Sequence, residues 1–171
     1  MYFSRLKTKL IEDMSEEKKK IPHLDELDKK ILKMIMKNAR TPFLEVAREC
    51  GVSGAAIHQR VARLTNLGVI SGSHFVVDPE VLGFDTCAYM GIYLERAQNL
   101  KAVAEALKNI PEVVECHYTT GQWAIFVKIR TKTNKDLKRL IDNDLQVEGI
   151  ARTETLISLE EGFVRQVPVD L

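Results

Sequence analysis

Residues 43–62 read Phe43-Leu44-Glu45-Val46-Ala47-Arg48-Glu49-Cys50-Gly51-Val52-Ser53-Gly54-Ala55-Ala56-Ile57-His58-Gln59-Arg60-Val61-Ala62. Ala47 and Gly51 stand four apart, Ile57 follows six later, and apolar Val46, Cys50, Val52 and Val61 fill the inward positions. A small residue at Ala47 lets two helices cross closely. Gly51 can take the positive φ of a tight turn, and Ile57 plugs the second helix back onto the first. The spacing predicts a helix-turn-helix.

Working outward, Leu24, Leu27, Ile31 and Ile35 recur at three- and four-residue steps. With Asp25 placed to cap and Asp28 in the first turn, they predict an amphipathic helix ending near Ala39. Thr41 as cap and Pro42 at the first helical position predict the start of the second helix, which Gly51 closes. Ser53 is the expected cap of a third helix with the apolar stripe Ile57, Val61 and Leu64, ended by Gly68. Val69-Ile70 and His74 to Val77 read as extended segments around Ser71-Gly72, a wing or a linking strand. The expected division is a charged extension over 1–21, a winged helix-turn-helix over 22–72 and a linking strand or hinge over 73–84. Met14 is a possible alternative start, so the first thirteen residues read either as an artefact of the start or as an arm that contacts other subunits.

The remainder, 85–171, changes rhythm. Thr86 to Leu94 is strand-like, and Asn99 is expected to cap a helix carrying Leu100, Val103 and Leu107 on one side. Val113 to Tyr118 and Trp123 to Ile129 read as strands around the turn Thr119-Thr120-Gly121. Leu137, Leu140, Ile141 and Leu145 mark another helix, and Thr153 to Leu159 a last strand. The order β-α-β-β-α-β predicts a ferredoxin-like domain, an antiparallel sheet with two helices on one face, and so an α+β protein.

Composition narrows the function. The chain is 45% hydrophobic and 29% charged with net charge +1, an ordinary globular balance. No apolar run approaches the roughly 20 residues that span a bilayer, and the N-terminus lacks a signal peptide's apolar segment, so the cytoplasm is expected. Cys50, Cys87 and Cys116 are scattered, which argues against a disulfide framework and predicts three buried thiols. His23, His58, His74 and His117 are equally dispersed, so no metal site and no cofactor is expected. The charge is unevenly spread. Residues 1–21 hold 6 basic and 4 acidic side chains, 22–80 hold 8 and 7, and 81–171 hold 11 and 13. Within Ser53 to Gly72 the only charges are Arg60 and Arg63, both positive.

That local charge suits a helix that enters the DNA major groove. With Ile57 at the centre of the buried face and about 100° per residue, Val61 and Leu64 fall within about 40° of it. Ala55, Gln59, Ala62, Arg63 and Asn66 are then expected to point toward the groove. Ala55 and Ala56 keep the helix start slim. Gln59 has the donor and acceptor for adenine, and Arg63 the fork for guanine. Arg60 and His58 flank this face as expected phosphate contacts, together with Ser53 at the helix start. Arg40 and Thr41, at the entry to the second helix, are secondary phosphate candidates. The plain alternative is that Gln59 and Arg63 are solvated residues of an exposed helix.

Two sets of residues also carry a resemblance. Asn38-Ala39-Arg40-Thr41, Gly51-Val52-Ser53, Ile57-His58, Arg60-Val61 and Gly68-Val69-Ile70-Ser71-Gly72 resemble the N-terminal half of Lrp/AsnC regulators. Leu82-Gly83-Phe84, Tyr118-Thr119-Thr120-Gly121 and Thr153-Glu154-Thr155-Leu156-Ile157 resemble their C-terminal half. The likeness runs from about Leu24 to Val167 and is greatest to the asparagine-responsive AsnC branch. It implies a transcriptional regulator that binds double-stranded DNA and forms dimers through ferredoxin-like domains. The dimers assemble further, often to octamers, and an amino acid bound between effector domains shifts assembly and DNA affinity.

By the same resemblance, the effector loop is Tyr118, Thr119, Thr120, Gly121, Gln122, Trp123 and Ala124. It is expected to face the segment around Glu148 and Ala151 to Thr155 of a neighbouring subunit, with Glu148, Ala151, Thr153 and Thr155 as the site residues. Gln122 and Ala124 stand where many leucine-type relatives carry acidic residues, and Ala151 stands where AsnC has a glutamine. An acidic partner for a ligand amine and a carboxamide that reads asparagine are therefore absent at those places. Trp123 either lines the pocket or packs the dimer interface. These departures keep open an architectural DNA binder of the same fold that answers to no ligand. An enzyme is not expected, because Cys116 and His117, adjacent in a strand, point to opposite faces. A protein–protein adaptor is a further alternative, which the modest net charge leaves open.

Overall fold

Asp25 and Asp28 start the first helix as a reciprocal capping box: Asp25 accepts from the Asp28 amide at 2.8 Å, and Asp28 from the Asp25 amide at 3.2 Å. Two of the helix's orphan donors are thereby satisfied. The computed structural model describes residues 21–169, so the expected N-terminal extension lies outside the described residues apart from Ile21. Helix α1 spans Glu26–Lys37, α2 Phe43–Cys50 and α3 Gly54–Asn66. After them come β1 Thr86–Leu94, α4 Leu100–Lys108, β2 Val113–Tyr118, β3 Ile125–Thr131, α5 Asn134–Asp142 and β4 Ile150–Ile157. The chain forms two compact units, divided near residue 76, with residues 164–169 grouped with the helical unit. No described helix is long and apolar enough to cross a membrane.

The helical unit closes on Ile31, Val46, Ala47 and Ile57, with Leu27, Met34, Ile35, Phe43, Cys50, Val52 and Val61 packed around them. Gly51 ends α2 at φ 69°, and the amides of Gly51 and Val52 return to the carbonyls of Arg48 and Ala47. Gly68, at φ 71°, ends α3 the same way. Both turns use a left-handed residue that glycine adopts without steric cost. Ser53 caps α3 by accepting from the Ala56 amide at 3.2 Å. Thr41 does not cap α2. Its hydroxyl donates back to the Asn38 carbonyl at 2.9 Å, and Pro42 takes the cap position with no side-chain bond. Asn99, the expected cap of α4, forms no side-chain cap bond either.

The expected wing is not built. Residues 69–77 carry no strand, and Phe75, Val76 and Val77 lie exposed. An extended segment becomes a strand only with a neighbour to share its ladder, and no described strand supplies one.

The second unit is a four-stranded antiparallel sheet in the order β2-β3-β1-β4, as the βαββαβ pattern predicts. Ala88, Met90 and Ile92 of β1 and Ile125, Val127 and Ile129 of β3 alternate onto one face. There they meet Leu100, Val103 and Leu107 of α4 and Leu137 and Leu140 of α5, with Leu145 just beyond. Burying each of the valine, leucine, isoleucine and methionine side chains among these contributes about 1.5–3 kcal/mol, so the two-residue strand period alone commits the sheet to this face. The other face carries Tyr89, Gly91 and Tyr93 of β1, Phe126 and Lys128 of β3, and Arg152 and Glu154 of β4, set side by side by the registers Gly91↔Phe126 and Gly91↔Glu154. Cys87 is buried and Cys50 half-buried, but Cys116 is exposed, against the expectation of three buried thiols. It sits on β2, an edge strand whose residues from Val114 onward are all exposed.

Candidate functional site

Helix α3 sorts its side chains cleanly. Ile57 and Leu64 are fully buried, whereas Ala55, His58, Gln59, Ala62 and Asn66 are exposed. Positions 55, 59, 62 and 66 follow one another at steps of four, three and four, so they share one face. That face holds two alanines and two carboxamides, and the amides of Gln59 and Asn66 bond to no described residue. Its surface is narrow and polar without being charged.

The arginines sit elsewhere. Arg63 was expected on the groove-facing side, but its Nη1 donates to Asp28 Oδ2 at 2.9 Å and its Nη2 to the His23 carbonyl at 3.2 Å. Arg60, expected to flank the face toward phosphates, donates to the Asp25 carboxylate and to Asp28 Oδ1, the latter at 3.1 Å. The physical reason is Asp28. Its side chain is only 1% exposed, and a buried carboxylate is costly unless cations and donors surround it. The hydrogen bond from Arg60 holds the Asp25 carboxyl below its ordinary range, and the same contact raises Arg60. Both stay charged together.

The other expected phosphate contacts are partly engaged. The His58 ring packs edge-on against Phe43, with centroids 4.7 Å apart. The Arg40 guanidinium lies 4.3 Å from the centroid of the Phe75 ring. Ser53 is spent on the cap of α3, and Ala56 supplies the amide it accepts from.

In the second unit the loop between β2 and β3 is pinned at its base. The Thr119 amide donates to the Ala124 carbonyl at 3.1 Å, the Thr119 hydroxyl to the Trp123 carbonyl, and the Ala124 amide to the Ile92 carbonyl at 3.0 Å. Trp123 lies over Gly91, where an added Cβ would come within 2.3 Å of the indole. The indole stacks on Phe126 at 5.3 Å, and Phe126 stacks on Tyr89 at 5.8 Å. Trp123 Nε1 donates to Glu154 Oε2 at 3.0 Å, and the Tyr93 hydroxyl donates to Glu154 Oε1 at 3.1 Å. Arg152 closes the group, 3.2 Å from Glu154 Oε1 and stacked 3.9 Å from the Tyr93 ring centroid.

Of the residues expected around an effector, Thr119, Trp123 and Ala124 are therefore brought together by the loop base. Thr153 and Thr155 are half-buried on β4. Tyr118, Thr120, Gly121, Gln122, Glu148 and Ala151 are all exposed. Tyr93 is the residue that sequence reasoning missed for this site, while Arg152 and Glu154 fall within the expected segment Ala151 to Thr155 without a role of their own. The alternation of β4 carries the signal, since Arg152 and Glu154 share a face that excludes Thr153. His117, beside Cys116 in sequence, has its Nε2 at 3.4 Å from Glu115, and the partial desolvation of the largely exposed Cys116 thiol pushes it up.

Comparison with known proteins places both units. Residues 24–65 match the AsnC-type helix-turn-helix domain, and residues 87–166 match the Lrp/AsnC ligand binding domain. The chain is 39% identical over 146 residues to the regulatory protein AsnC of Haemophilus influenzae, covering 85% of this chain and 97% of that protein. The solved structure of Escherichia coli AsnC superposes with a TM-score of 0.82 at 35% identity, over 86% of this chain and 99% of that one. A Neisseria meningitidis transcriptional regulator solved as its L-Met complex has a TM-score of 0.80 at 20% identity, covering 86% of this chain and 98% of that chain; this is a likeness of fold.

Proposed function

Because the chain belongs to the Lrp/AsnC family of transcriptional regulators, we propose that it reads specific double-stranded DNA with α3. A small effector, an amino acid, bound at the C-terminal domains shifts its assembly and DNA affinity. The observation that carries the DNA half is the face formed by Ala55, Gln59, Ala62 and Asn66, which is slim and has uncommitted amides. Gln59 and Asn66 suit the paired donor and acceptor of adenine in the major groove. Arg40, Thr41, Ser53, Ala56 and His58 surround that face as backbone contacts.

The effector half is supported by the match to a ligand binding domain and by the neighbour solved with L-Met. We assign the effector to the loop Tyr118 to Ala124 together with Glu148, Ala151, Thr153 and Thr155 contributed by a second subunit. The subunits pair through the open sheet face, whose Tyr89, Phe126 and Trp123 offer the aromatic surface that interfaces favour, and dimers assemble further, up to an octamer. The setting is the cytoplasm, and no catalytic step is assigned to any residue. A second reading, an architectural DNA binder without an effector, is favoured by one feature: Gln122 and Ala124 lack a carboxylate, and Glu154 is already held by Trp123, Tyr93 and Arg152.

Size-exclusion chromatography with light scattering, run with and without each of the twenty amino acids, separates the two. A change of mass with one of them supports the sensor. One assembly unmoved by all twenty contradicts it and leaves the architectural reading.

A further inference from the structure

We propose that Asp28, Arg60 and Arg63 form a positioning clamp that sets how α3 is presented to DNA, and that the two arginines act through this clamp instead of contacting DNA. The inference rests on the DNA-reading function proposed above and assigns it positioning residues. The clamp joins parts of the chain far apart in sequence. Asp28 lies in the first turn of α1, and the arginines lie on α3, 32 and 35 residues later. Each oxygen of Asp28 is used. Oδ1 accepts from Arg60, and Oδ2 accepts from Arg63 and from the Asp25 amide. Arg63 extends the tie by donating to the His23 carbonyl, and Arg60 extends it to the Asp25 carboxylate. Three groups around the start of α1, the Asp28 and Asp25 carboxylates and the His23 carbonyl, thus hold two successive points of α3.

Geometry and electrostatics both keep the arginines there. On a helix turning about 100° per residue, Arg63 lies about 70° round from the centre of the 55–59–62–66 face, and Arg60 lies farther still. Either arginine that left for a phosphate would leave part of the charge of a carboxylate 1% exposed without its partner. Losing one partner of a buried pair costs more than a solvated phosphate contact returns. Nor does a lysine substitute for Arg63. A single ammonium cannot span a carboxylate on one side and a main-chain carbonyl on the other as the flat guanidinium fork does.

The test uses the full chain and two duplexes: one enriched by the wild-type protein from a randomised pool, and a scrambled duplex of the same composition. Affinities for Arg63→Ala, Arg63→Lys and wild type are measured by fluorescence anisotropy over a range of salt. The clamp predicts that Arg63→Ala loses about tenfold on the enriched duplex and changes by less than about twofold on the scrambled one. The slope of log affinity against log salt stays that of the wild type, and Arg63→Lys fails to restore the loss. A phosphate contact would instead lower both affinities, reduce the slope by about 0.9, and be restored by lysine. That result overturns the clamp. A loss confined to a single base pair overturns it in favour of base reading. A lowered melting temperature with both affinities unchanged overturns it in favour of a merely structural tie. Asp28→Asn, with helix content followed by circular dichroism, gives the same selective loss if the clamp is correct and none if it is not. A wild-type protein that enriches no duplex fails at the first step, before any variant is compared, and removes the DNA-reading function itself.

Discussion

Trp123 lies flat over Gly91, so close that a Cβ at position 91 would stand 2.3 Å from its indole. Gly91 lies on β1 and Trp123 in the loop before β3, and the contact aims Trp123 Nε1 at Glu154. Gly91→Ala must therefore tilt the indole away, breaking its stack on Phe126 and its hydrogen bond. Overpacking of this kind costs about 1–3 kcal/mol. Trp123 is the single tryptophan of the chain, so its fluorescence reports the change directly. The expected outcome is a shifted emission maximum and a lowered melting temperature, with assembly or effector response disturbed first. An unchanged emission spectrum would mean that the indole does not rest on Gly91 in solution.

Gln59→Ala removes the best-placed carboxamide of the outward face of α3. A lost bidentate contact weakens binding to the enriched duplex by about 1–3 kcal/mol. Oligomer size by light scattering stays the same, because position 59 takes no part in the packed cluster of the helical unit. Equal affinity of the variant and the wild type would place the reading face elsewhere.

The acid limb of stability follows from Asp25. Arg60's hydrogen bond lowers its pKa in the folded chain from the ordinary 3.8. A depressed carboxylate stabilises fully above its unfolded value, and the contribution disappears as pH falls through the folded one. Asparagine keeps the capping role but not the charge. At neutral pH, Asp25→Asn melts lower than wild type, and the gap narrows once the pH drops below about 3.8. A gap that stays constant into acid would show that the charge contributes nothing.

The helix boundaries were legible because their signals are local. Asp25 with Asp28, Ser53, Gly51 and Gly68 act through neighbours within a turn, and β1 and β2 occupy the expected residues. The α5 start was missed: the leucine spacing drew the helix too late, whereas Thr133 caps it by accepting from the Asp136 amide at 3.2 Å. Trp123 extends the apolar run of β3 but belongs to the turn, because its indole is wanted on Gly91 and not in the ladder. The arginines of α3 were illegible. A wheel centred on Ile57 assumes one packing neighbour, whereas α3 also meets the start of α1, and no spacing within α3 announces Asp28. The absent wing has the same origin, since alternation in His74 to Val77 describes a strand's faces and not its partner. Grouping of Trp123, Tyr93, Arg152 and Glu154 depends on strand register, which a single chain of letters does not state.

The most direct test of the whole account is a titration of the full-length chain against its enriched duplex and the scrambled control at one fixed salt concentration. The account predicts a preference of at least about a thousandfold for the enriched duplex, the lower range of sequence-specific binders. Equal affinity for the two duplexes would contradict it, leaving the tri-helical unit as a charge-driven or protein-binding module.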